Sequence, residues 1–134
     1  MKGWIIIEDK SYGFLNISVR TARDALPVPG AYVVITTDYK KAGVLDTPDE
    51  IVYTAYTDIS GATPKIRLEA PSVEGSSGPG RSNPCYYYSI RTSKEGFYTI
   101  ENVSVEIYAG ITTLQTIRMI PRLADSRVAP DGTM

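Results

Sequence analysis

The chain has 134 residues, a formal net charge of −1, and a hydrophobic content of 43%. A chain of this length corresponds to one domain with one core, and its nearly neutral charge provides no strong field to attract nucleic acid. No apolar run approaches the length of about 20 residues that a transmembrane helix needs. We therefore expect a single domain that neither binds nucleic acid nor inserts into a membrane.

We expect no secretion signal in the first residues. Met1 and Lys2 precede the apolar run Trp4–Ile7, but the charged residues 8–10 end that run too early for a signal-peptide core. We expect synthesis in the cytoplasm, and we predict that residues 1–12 are an N-terminal segment in which Trp4–Ile7 adds an edge strand. Cys85 is the one cysteine, so it has no intramolecular disulfide partner and is predicted to be a small buried apolar residue.

The two strands predicted first in the domain alternate apolar and polar residues. Residues 15–20 follow a period of two, and residues 31–37 are rich in β-branched and aromatic side chains. Between them, two prolines and Gly30 predict a turn. The residues predicted to face inward from these two strands are Leu15, Ile17, Val19, Ala31, Val33 and Ile35.

Later strands follow at near-regular spacing, separated by turn residues. They are predicted at residues 51–57, 66–70, 86–92, 97–100, 103–108 and 111–120, with a charged loop at 38–50. The small residues of 71–84 predict a flexible loop inside a domain of residues 13–120, and residues 121–134 predict a disordered tail. Seven or so short strands without helical periodicity predict an all-β sandwich of two sheets.

Several segments resemble one protein family. The corner Pro27-Val28-Pro29-Gly30-Ala31, the turn Thr57-Asp58-Ile59-Ser60-Gly61, and Tyr88–Thr92 followed by Gly96-Phe97-Tyr98 are similar to carboxypeptidase-regulatory-like domains. The resemblance spans about residues 13 to 120. It implies a seven-stranded antiparallel prealbumin-like (transthyretin-like) Greek-key β-sandwich, and it offers no catalytic residues to carry over.

A closer resemblance lies near the end of the chain. Val105–Gln115 and the stop Met119-Ile120-Pro121 are similar to a version of this domain in spore-forming anaerobic bacteria. There, such domains occur alone or beside spore cortex-lytic hydrolases. The resemblance therefore implies a bacterial protein associated with a spore or cell-envelope assembly.

The chain contains no histidine. This excludes Ser-His and Cys-His nucleophile activation and removes the commonest ligand of zinc. Paired carboxylates are the catalytic option that remains, but the candidates stand at loop or turn positions where acidic residues are expected in solvent. These candidates are Asp46, Asp49, Glu50 and Asp58. We predict no catalytic, cofactor-binding or metal site.

Ten tyrosines are the remaining unusual feature. Alternation along residues 86–92 places Tyr88 with Ile90 on the inward face and Tyr87 with Arg91 on the outward face. Tyr87 and Arg91 are therefore predicted to belong to an interaction surface. We expect a non-enzymatic accessory or structural module that binds a protein partner or a second copy through its sheet edges. The alternatives are a cell-wall glycan-binding module with peptidoglycan as its partner and a carboxylate-dependent hydrolase.

Overall fold

The computed structural model describes residues 10–23, 25–72 and 84–123. These residues form seven β-strands and no helix, so none of them forms a helix long and apolar enough to cross a membrane. The strands are β1 (Ser11–Thr21), β2 (Tyr32–Thr37), β3 (Ile51–Tyr56), β4 (Ile66–Ala70), β5 (Tyr86–Ser93), β6 (Ile100–Ile107) and β7 (Thr112–Met119). They form a three-stranded sheet, β4-β1-β7, and a four-stranded sheet, β3-β2-β5-β6. The predicted all-β sandwich of seven strands is confirmed.

One strand pair corrects the expectation of a wholly antiparallel sandwich. β1 and β7 run parallel, in a register from Phe14 opposite Thr112 to Thr21 opposite Met119. The other paired strands are antiparallel. Alternation of apolar residues is the same in parallel and antiparallel pairs, so the sequence pattern did not reveal the direction of β7.

The core lies between the two sheets and is built from alternate residues of their strands. The six residues predicted to face inward from the first two strands are all buried. β4, β5 and the last two strands add further core residues, with the buried side chains Ile66, Leu68, Ala70, Ile90, Val105, Ile107, Ile117 and Met119. Alternation therefore identified the buried face correctly in β1, β2 and β5, where it was used to predict one, because one face of each sheet packs on the other.

β6 differs from its prediction. Residues 97–100 and 103–108 were predicted as two strands, but Ile100–Ile107 is one strand with a bulge opposite β5. Ser104, in the bulge, has a φ of 61°. Its N–H donates to Asp38 Oδ2 (3.1 Å), which also accepts a hydrogen bond from Ser89 Oγ (3.3 Å). Asp38, in the loop after β2, thus stabilises the bulge at Ser104, which the local sequence did not indicate.

Some predictions fall outside the described residues: the edge strand at Trp4–Ile7, residues 73–83 of the predicted loop, and residues 124–134 of the predicted tail. The described residues next to the first and last of these segments make strand pairs or backbone hydrogen bonds. Ser11 and Tyr12 belong to β1 and lie opposite Ala70 and Glu69. Arg122 N donates to the carbonyl of Gly96 (2.8 Å).

Candidate ligand-binding cleft

A cleft of about 530 Å³ opens where the edge strand β4 meets the ends of β2, β3 and β5. Five tyrosines line it, which distinguishes it from the other grooves of the surface: Tyr12, Tyr39, Tyr86, Tyr87 and Tyr88. We call it the tyrosine cleft. Its volume lies within the range of about 300–1,000 Å³ that is usual for small-molecule sites, and mixed aromatic and polar walls are typical of them.

Tyr88 forms the inner end of the tyrosine cleft and joins the two sheets. Its ring is 4% exposed, and its hydroxyl donates to the carbonyl oxygen of Glu69 in β4 at 2.7 Å. Burial, and then the negative charge of Glu69, raises the pKa of Tyr88 above its ordinary value. Tyr88 therefore stays protonated and keeps its donor role at neutral pH.

Two basic side chains lie against tyrosine rings of the cleft. Arg67 Cζ lies 4.3 Å from the ring centroid of Tyr12, and Lys41 Nζ lies 5.7 Å from that of Tyr87. Both distances fall within the range of cation–π attraction.

A hydrogen bond with Cys85 is the main cause of the raised pKa of Tyr87. Cys85 is half-buried, which differs from the prediction of a small buried apolar residue.

The loop after β2 forms the outer wall of the tyrosine cleft and is held by backbone hydrogen bonds. Asp38 N donates to the carbonyl of Tyr87 (2.9 Å), and Tyr39 N donates to Asp49 Oδ1 (2.8 Å). Val44 N donates to the carbonyl of Tyr39 (2.9 Å), which closes the tip of the loop. These bonds fix the charged loop, although its composition predicted only that it was a loop.

The structure places the four acidic catalytic candidates at three different locations. Glu50 lines the tyrosine cleft, and Asp46 and Asp49 line a different groove. Asp58 lies in the turn after β3, where its Oδ1 accepts from Ser60 N (2.9 Å) and Ala62 N (3.0 Å). Hydrogen bonds from the Ser60 side chain and from these amides lower the pKa of Asp58. Asp49 and Asp58 therefore organise local backbone.

The predicted surface residues Tyr87 and Arg91 share one face of β5, but they line different depressions. Tyr87 is half-buried in the tyrosine cleft. Arg91 lies on the outer face of the four-stranded sheet, with its Nη2 3.7 Å from Glu101 Oε2. The structure thus assigns Tyr87 to the cleft and leaves Arg91 outside it.

Sequence reasoning missed most of the tyrosine cleft. Tyr12 was predicted to lie in the N-terminal segment, and Arg67 and Val52 were read only as strand residues. They come together because β4 pairs with β1 and lies beside the start of β3. The one sequence signal was the concentration of tyrosines at 86–88. No three side chains among His, Cys, Asp and Glu within the described ranges are grouped to hold a metal ion.

Comparison with known proteins shows that this chain resembles solved structures in its fold. No family model matches the sequence, and no curated protein matches it. Among solved structures, 3-chlorocatechol 1,2-dioxygenase from Rhodococcus opacus 1CP superposes with a TM-score of 0.55 at 11% identity. The match covers 86% of this chain and 62% of that enzyme. Chlorocatechol 1,2-dioxygenase from Pseudomonas putida has a TM-score of 0.49 at 14% identity, over 87% of this chain and 62% of that enzyme.

This likeness corrects the prediction that the chain is a non-enzymatic module. That prediction rested on the absence of histidine and on a resemblance that offers no catalytic residues, yet the Rhodococcus protein with this fold is an enzyme. At 11% identity the likeness establishes fold alone, and this chain spans 62% of that enzyme's length. A functional argument therefore has to start from the tyrosine cleft.

Proposed function

We propose that the chain binds a small hydroxylated aromatic compound in the tyrosine cleft. The observation that carries this proposal is the gathering of five tyrosine rings around one cavity of about 530 Å³. Aromatic rings attract one another in offset and edge-to-face arrangements worth about 0.5–1.5 kcal/mol beyond their buried area. A planar ring is therefore the ligand shape that the cleft fits best.

The polar groups of the cleft favour a ligand with hydroxyl groups. Glu50 lines the cleft, and its carboxylate makes no hydrogen bond or ion pair with any described residue. A phenolic hydroxyl can donate to this carboxylate, and such charge-assisted bonds are stronger than neutral ones. Arg67, stacked on Tyr12, adds a cation at the rim that favours an electron-rich ring.

The fold comparison supports the same ligand class. The Rhodococcus enzyme acts, by its name, on a chlorocatechol, which is a ring with two neighbouring hydroxyl groups. We extend only this ligand class to the present chain, and we propose 3-chlorocatechol as the first probe.

The test is a titration of the 15N-labelled chain with 3-chlorocatechol, followed by NMR. We expect the amide signals of Tyr86 and Tyr87 to shift, with a dissociation constant at or below about 1 mM, which is about −4 kcal/mol. Tyr86→Ala should weaken binding at least about fivefold, because it removes a ring that is 44% exposed in the cleft. Chlorobenzene, which lacks hydroxyls, should bind about tenfold more weakly.

Tyr98→Ala is the matched control, because Tyr98 is 53% exposed and does not line the tyrosine cleft. This variant should bind 3-chlorocatechol like the wild type. Equal weakening by both substitutions, or signal shifts confined to other residues, would reject the cleft as the site.

The relation to carboxypeptidase-regulatory-like domains also remains a proposal. The turn at residues 57–61 supports it, since Asp58 accepts backbone hydrogen bonds there and Gly61 has a φ of 79°. An added Cβ at Gly61 would lie 2.5 Å from the carbonyl oxygen of Val19, so this turn requires glycine. A crystal structure that superposes more closely on such domains than on the dioxygenases would support the relation.

A further inference from the structure

The outer face of the three-stranded sheet carries basic residues that are distant in sequence. Alternation along β1 and β7 directs Arg20 and Arg118 outward, and alternation along β4 directs Arg67 outward, with Lys65 just before the strand. We call Arg20, Lys65, Arg67 and Arg118 the basic face. The sequence showed no basic cluster, because these residues come onto one face only when the three strands pair.

Two of these cations are held in place by aromatic rings of β1. Lys65 Nζ lies 4.8 Å from the ring centroid of Phe14, and Arg67 Cζ lies 4.3 Å from that of Tyr12. A side chain already ordered on a ring loses less conformational freedom when it binds an anion. The rings therefore prepare the two cations for an acidic ligand.

Among the residues that the structure describes, few acidic side chains compensate the charge of the basic face. Arg20 and Arg118 are neighbours in the β1–β7 register, where like charges side by side oppose each other. Arg20 bonds Ser18 Oγ (3.2 Å) and the carbonyl of Ala25 (3.1 Å), and no described acidic residue pairs with either arginine. The one acid pointing outward from the described parts of these strands, Glu69, lies 3.5 Å from Lys10.

We propose that the basic face binds an acidic segment of a partner protein, whose carboxylates pair with Arg20, Lys65 and Arg118. Charge complementarity supports this occupant, since the face is cationic in a chain whose net charge is −1. A single-stranded nucleic acid fits less well. Its bases need open aromatic faces, whereas Lys65 and Arg67 cover Phe14 and Tyr12.

The experiment measures fluorescence anisotropy of a labelled decaglutamate peptide with the full chain. The double variant Lys65→Gln/Arg118→Gln should weaken binding about tenfold, and raising NaCl from about 50 to about 200 mM should weaken wild-type binding as well. Neither substituted residue lines the tyrosine cleft, so 3-chlorocatechol binding should stay unchanged. The two proposals can therefore fail separately.

Arg91→Gln/Lys94→Gln is the control, because it removes the same charge from the other sheet. It should change peptide affinity less than about twofold, and thermal melts should show that both double variants fold. If both double variants weakened peptide binding equally, the effect would come from net charge and not from the basic face, and the proposal would be overturned. Tighter binding of oligo(dT) than of decaglutamate would overturn it in favour of nucleic acid, and absence of peptide binding would reject it outright.

Discussion

At the scale of single residues, Tyr88 and Tyr87 provide a direct comparison of packing with surface chemistry. Tyr88 is buried and its hydroxyl bonds Glu69 in the other sheet, whereas Tyr87 is half-buried in the tyrosine cleft. Tyr88→Ala should lower the free energy of unfolding by about 3–5 kcal/mol, because a large ring leaves the core. Tyr87→Ala should lower it by at most about 1 kcal/mol.

Urea unfolding of the two variants and of Tyr88→Phe measures these differences. Tyr88→Phe should cost about 0.5–1.5 kcal/mol, which is the range for one lost hydrogen bond. Similar losses in Tyr87→Ala and Tyr88→Ala would contradict the assignment of their faces.

Thr57 is a second residue whose role is set by hydrogen bonds. Its buried hydroxyl donates to the carbonyl of Val28 (2.6 Å) and accepts from Ala31 N (2.8 Å). Thr57→Val keeps the shape but leaves both backbone groups without this partner, so it should cost about 2–4 kcal/mol in urea unfolding. Thr54→Val, on the exposed side of β3, should stay within about 0.5 kcal/mol of the wild type. A small loss in Thr57→Val would mean that water replaces the hydroxyl.

At the scale of elements, the turn after β3 makes stability depend on pH through Asp58. Hydrogen bonds lower the pKa of Asp58 in the folded chain below the unfolded value of 3.8. Its contribution is therefore present above pH 3.8 and is lost as the pH falls through the lower, folded-state pKa. Asp58→Asn should be less stable than the wild type at pH 7, and the difference should shrink below about pH 4.

Chemical unfolding at a series of pH values measures this dependence. Asp46→Asn is the control, since Asp46 is exposed in the loop after β2. It should follow the wild type through the same pH range. A difference between Asp58→Asn and wild type that grows on acidification would contradict the sign.

At the scale of the whole molecule, the chain closes by pairing its first described strand with its last. β7 completes the three-stranded sheet beside β1 and contributes Ile117 and Met119 to the core. A chain ending at Gly110 should therefore lose its cooperative unfolding transition, because β1 keeps an open edge and the core stays uncovered. Thermal melts followed by far-ultraviolet circular dichroism measure this loss. A cooperative transition in the shortened chain would show that β4 and β1 suffice.

The sequence predicted strands and their faces better than it predicted sites. The period of two in residues 15–19 follows directly from which side chains are buried, so Leu15, Ile17 and Val19 were assigned correctly. Strand partners leave no comparable local mark. The tyrosine cleft depends on the pairing of β4 with β1. The basic face depends on the parallel pairing of β7 with β1. The absence of histidine excluded catalysis that depends on histidine, and it did not justify the conclusion that the chain is no enzyme.

The parallel pairing of β1 with β7 has a consequence for synthesis on the ribosome. Chains grow at about 5–20 residues per second, so β7 follows β1 by several seconds. During that interval one edge of β1 is unpaired, and Leu15, Ile17 and Val19 lack the cover that β7 brings to the sheet. The nascent domain thus completes its fold only after β7 has been synthesised, and the exposed strand β1 is where a chaperone or a neighbouring nascent chain would first attach.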